Sequence, residues 1–122
     1  MESDIKVTAL RALIEKSLDD SKATDIVVIN LKGKTDIADF MVVASGTSSR
    51  HVNSIASKLL EELRHNDIKG IEPEGTGTGD WVLVDAIDVI VHLFKPEVRK
   101  HYDLEKMWQI PGDKKERKRR AK

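Results

Sequence analysis

Asp80-Trp81-Val82-Leu83-Val84-Asp85, then Ala86-Ile87, then Asp88-Val89-Ile90-Val91-His92-Leu93-Phe94 is the stretch that decides the fold. Two short runs rich in β-branched residues stand only two residues apart. Runs this close can pair only as an antiparallel hairpin. Pro96 stops the second strand, because proline has no N–H to give to a ladder. Along that strand His92 alternates with Ile90 and Phe94, so the three share one face.

Upstream of the hairpin, Ile71 to Gly79 reads as a loop rich in glycine (Gly75, Gly77, Gly79), with room for a short strand at its start. Before it, Val52, Ile55, Ala56, Leu59, Leu60 and Leu63 are spaced for a helix from about Ser49 to Asn66, with Thr47 or Ser48 as its cap. Phe40-Met41-Val42-Val43-Ala44-Ser45 is an apolar run too short for a helix and reads as a buried strand. Ile26 to Leu31 reads the same way, covered on both faces, with Lys32-Gly33-Lys34 as a turn after it. At the start, Val7, Leu10, Leu13, Ile14 and Leu18 form one apolar stripe on a helix from Ile5 to Ser21, capped by Ser3 or Asp4. Arg99 to Trp108 suggests one or two helical turns, and Pro111-Gly112 ends the fold. The order predicts a single α/β (α+β) domain in which helices cover a mixed sheet.

Composition agrees. The chain has 122 residues, 39% hydrophobic and 34% charged, as soluble domains do. Cysteine is absent, which excludes disulfides, thiolate catalysis and cysteine-ligated metals. No apolar run approaches a membrane span. The N-terminus, Met1-Glu2-Ser3-Asp4, is too acidic for a secretory signal, so the expected location is cytoplasmic. Net charge is zero but uneven: Asp113 to Lys122 holds seven basic and two acidic residues, leaving the body at −5. The expected division is a domain over 1–112 and a basic, disordered tail over 113–122. The tail either aids solubility or contacts nucleic-acid phosphates.

Signals for catalysis are weak. His51, His65, His92 and His101 show no helical zinc spacing, so no metal or cofactor is expected. His51 and His65 read as surface residues. Asp85 and Asp88 flank the hairpin turn, where they could share a metal or bond their own backbone. Gly46-Thr47-Ser48 joins a strand to a helix, where an anion could sit. It lacks the P-loop ending, and the dozen positions after Ser48 lack the spaced acidic pair of a nucleotidyltransferase. Trp81, at a strand start beside the glycine-rich loop, is equally suited to core or to an interface anchor.

Three blocks match a known family in order and spacing: Gly46-Thr47-Ser48-Ser49-Arg50-His51-Val52, the hairpin Asp80 to His92, and Tyr102-Asp103-Leu104-Glu105-Lys106-Met107-Trp108. Asp25 and Ala38-Asp39-Phe40 fit as well. Together they resemble the ribosomal silencing factor (Iojap) family over roughly Leu10 to Trp108. The resemblance implies a nucleotidyltransferase-like fold without its catalytic acids, and a translation repressor instead of an enzyme. It implies binding to the large ribosomal subunit through large-subunit ribosomal protein fourteen. Subunit joining would then be blocked sterically, lowering protein synthesis in stationary phase or starvation. It assigns partner contact to Trp81, Leu83, Asp85, Asp88 and His92, with Arg50, His51 and Tyr102 as further contacts. Glu105 and Trp108 match the terminal block, where packing onto the sheet is an equal reason for them. A homodimer of the free protein and a contact of the tail with ribosomal RNA are further expectations. The chain departs from the pattern at Ile87, where the family's hairpin turn usually has glycine. An exposed isoleucine there suits an interface.

Overall fold

The computed structural model describes residues 2–98, with side chains from Lys6 onward. The elements run α1 (Glu2–Asp20), β1 (Thr24–Asn30), β2 (Phe40–Ser45), α2 (Ser49–His65), β3 (Trp81–Asp85) and β4 (Val89–Phe94). The sequence segments 99–112 and 113–122, with their expected helical turns, domain end and tail, lie outside the described residues.

The sheet order is β1-β2-β4-β3. β1 and β2 are antiparallel, β2 and β4 parallel, and β4 and β3 antiparallel, so the sheet is mixed. β2 is buried along its whole length, as its unbroken apolar run requires. β1 differs from expectation. It lies at the sheet edge and only Ile29 within it is fully buried, because an edge strand has a neighbour on one side alone. The register slips between Thr24 and Val27, where Asp25 takes a positive φ of 50°.

Both helices pack on one face. Ile14 and Leu18 of α1 and Ile55, Leu59 and Leu63 of α2 meet Val42, Ala44, Val82, Val84, Val91 and Leu93 in one core. α1 starts at Glu2, so Ser3 and Asp4 lie inside it and do not cap it. Ser48 caps α2, its side chain accepting from the His51 N–H at 3.1 Å. Both helices close without glycine. Lys22 (φ 65°) and Asp67 (φ 64°) take the left-handed position. Ala23 N–H then bonds Leu18 C=O and Ile68 N–H bonds Leu63 C=O, which satisfies helix-end carbonyls.

The other face carries a second cluster: Ile29, Leu31, Ala38, Met41, Val43 and Phe94, with Val27, Trp81, Ile90 and Val98 partly buried against it. Neither helix packs on this face among the described residues.

Candidate functional site: the β3–β4 hairpin face

Register builds the site. Trp81 pairs with Phe94 and Leu83 with His92, so alternation puts all four on the face away from the helices. The ring centroids of Trp81 and Phe94 are 5.1 Å apart, and those of Trp81 and His92 5.8 Å. His92 and Phe94 stack at 6.1 Å. Phe94 is buried, while Trp81, Leu83, Ile90 and His92 are only partly so.

The Trp81 indole N–H donates to His92 Nδ1 at 2.9 Å. That nitrogen must therefore carry a lone pair, so the ring is neutral with its proton on Nε2. Burial enforces the same state, lowering the His92 pKa from 6.5 to about 4. The histidine was expected on this face with Ile90 and Phe94. Its bond to Trp81 was not, because a diagonal contact depends on hairpin register.

Two contacts fix the strand start. Glu74 and Leu83 exchange backbone hydrogen bonds, each 2.9 Å, so the expected early strand is a single bridge on the outer edge of β3. Gly75 then passes with φ +90° so close that a Cβ there would overlap the Trp81 carbonyl oxygen.

The aspartates serve the turn. Asp85 Oδ1 accepts from the Ile87 N–H at 2.9 Å. The Asp88 carbonyl accepts from the N–H groups of Asp39 and Phe40, tying the hairpin tip to the start of β2. Both side chains are exposed. No three His, Asp or Glu side chains cluster to hold a metal ion among the described residues.

Arg50 and His51 sit on α2, which packs on the opposite face. Arg50 is exposed. His51 corrects the surface expectation. It is half-buried, its Nδ1 accepts the Thr47 N–H at 2.8 Å, and its Nε2 meets the Ser21 carbonyl at 2.8 Å. It thus bolts the start of α2 to the end of α1. Thr47 four residues earlier was a legible clue, but Ser21 lies thirty residues away. His65 is exposed, as expected. Tyr102 and His101 lie outside the described residues.

Helices on one face of a mixed sheet, and a partly exposed aromatic strip on the other, define a small α+β protein. The chain belongs to the ribosomal silencing factor family: the sequence model described as "Ribosomal silencing factor during starvation" matches residues 4–122. It is 50% identical over 99 residues to ribosomal silencing factor RsfS of Zymomonas mobilis, covering 81% of this chain and 74% of that one. It is 34% identical over 91 residues to the Mus musculus protein named mitochondrial assembly of ribosomal large subunit protein 1, covering 72% of this chain and 40% of that one. A crystal structure of a Chromobacterium violaceum protein superposes with TM-score 0.81 at 36% identity, covering 86% of this chain and 89% of that one.

Proposed function

We propose that the chain represses translation by binding the large ribosomal subunit through large-subunit ribosomal protein fourteen, so that the small subunit cannot join. The contact surface is the hairpin face: Trp81, Leu83 and His92, with Asp85 and Asp88 at its tip. The observation that carries this reading is the Trp81–His92 pair, an aromatic anchor held in place yet partly exposed. Tryptophan in a fixed pose at the edge of an apolar strip is what binding hot spots use. Family membership supports the ribosome as target, and the name of the mouse relative points to the large subunit. The protein works by occupancy in the cytoplasm, without turnover, on a nucleotidyltransferase-like frame. Its basic tail, 113–122, adds attraction to ribosomal RNA. The free protein would form a homodimer.

Co-sedimentation with large and small subunits, each purified, tests the reading. The protein should travel with the large subunit alone and lower subunit joining. Trp81→Ala should weaken that binding by about 2 kcal/mol, roughly thirtyfold. A folded variant with unchanged affinity removes Trp81 as anchor.

A further inference from the structure

Two large apolar side chains stand in solvent among the described residues: Ile37, 58% exposed, and Ile87, 74% exposed. They lie on neighbouring loops at one end of the sheet. The loop bearing Ile37 is tied to the hairpin tip by the Asp39 and Phe40 N–H groups, which donate to the Asp88 carbonyl at 2.9 and 3.1 Å. Ile87 is one residue before that carbonyl.

Ile87 is also in a costly conformation. Its φ is 72°, and the Asp88 N–H donates across it to the Ala86 carbonyl at 2.9 Å. That is the positive-φ γ-turn, strained for any side chain and most for a β-branched one. Glycine or asparagine would sit there more easily. With three quarters of its surface exposed, Ile87 gains little packing within the described fold to offset the strain. Aspartates flank the pair along the chain: Asp36, Asp85 and Asp88 are exposed and Asp39 is half-buried. Lys32 and Lys34 are the cations of the same loop.

We infer that Ile37 and Ile87 form an apolar contact patch, rimmed by aspartates, that docks on a basic protein surface with an apolar centre. For its partner the inference rests on the function proposed above, since Ile87 adjoins Asp85 at the tip of the proposed contact face. Charge selects the occupant. A second copy would bring the same acidic excess, four aspartates to two lysines, whereas a cationic partner pairs with the aspartates.

Ile87→Asn and Ile37→Ser test this, with Trp81→Ala alongside, using purified large subunits as probe. Ile87→Asn should melt at the same temperature or higher, because strain is relieved, yet bind roughly tenfold more weakly. Ile37→Ser, away from the strained turn, should weaken binding without unfolding the chain. Added salt should weaken wild-type binding. If both isoleucine variants bind normally while Trp81→Ala does not, this inference is wrong and the Trp81 reading stands. If Trp81→Ala binds normally and the isoleucine variants do not, the reverse holds. Wild type that binds no large subunit removes the partner and the inference with it. A free chain that self-associates by sedimentation velocity, and loses this in Ile87→Asn with subunit binding intact, gives the patch to a second copy and overturns the proposal.

Discussion

Replacing His92 with glutamine removes a titrating ring but keeps an acceptor for the Trp81 indole. In the wild type, burial lowers the His92 pKa from 6.5 to about 4. The unfolded chain should titrate near the ordinary value. Above pH 6.5 the ring is neutral in both states, and folding is free of penalty. Between pH 6.5 and 4 the unfolded chain takes up a proton that the folded chain refuses. Stability is therefore complete above 6.5 and lost as pH falls towards 4. At pH 4.5 the loss is about 2–3 kcal/mol from this one group. Carboxylates also titrate there, but equally in wild type and variant, so they cancel in the comparison. Urea unfolding at pH 7 and pH 4.5 measures it for both proteins. His92→Gln should lose about 2–3 kcal/mol less than wild type over that interval, whatever its offset at pH 7. Equal losses would refute the reasoning, because a largely buried ring bonded through Nδ1 cannot titrate as an exposed one does.

Two further substitutions probe how the site is held. His51→Leu removes the partner of the Thr47 N–H and the Ser21 carbonyl, and should cost about 1 kcal/mol by urea unfolding; no loss would mean the link between the helix ends is idle. Gly75→Ala places a Cβ against the Trp81 carbonyl at a backbone angle that alanine resists. It should lower stability by about 2 kcal/mol and shift the Trp81 indole resonance in a proton–nitrogen spectrum; an unmoved resonance would show that the loop does not set the strand start.

Elements were legible wherever pattern and punctuation coincide. Phe40 to Ser45 is bounded by Asp39 and Gly46, and the strand has those limits. Ser48 followed by a 3.6-residue stripe located α2, because cap and periodicity are local properties. The hairpin followed from two β-rich runs two residues apart. Sheet order was not legible. The parallel pairing of β2 with β4 spans α2 and the whole glycine-rich loop, and nothing in either strand names the other. The edge position of β1 was hidden for the same reason, since its apolar run looks like that of an interior strand. The start of α1 was misplaced because Ser3 and Asp4 resemble caps equally well when a helix runs through them. At the site, alternation placed His92 correctly with Ile90 and Phe94. The bond to Trp81 needed the register, which sets residue 81 opposite 94 and hence diagonal to 92.

Those constraints on Trp81 bear on what it could recognise. Its carbonyl is pressed by Gly75, its ring leans on Phe94, and its N–H is engaged by His92. Little rotamer freedom remains to be lost on binding, which favours affinity. The indole N–H is no longer available to a carbonyl on a partner. What the residue offers is the exposed part of an aromatic ring, and such a surface favours aliphatic side chains or cations. Asp85 and Asp88, exposed at the tip of the same hairpin, favour cations too. On the function proposed above, the recognised surface should present arginine or lysine with their aliphatic stems against the ring. Its carbonyl acceptors would contribute little at this point. The bond from Trp81 to His92 thus does more than stabilise the hairpin. On the proposed function, closing one kind of contact narrows the class of partner that the face accepts.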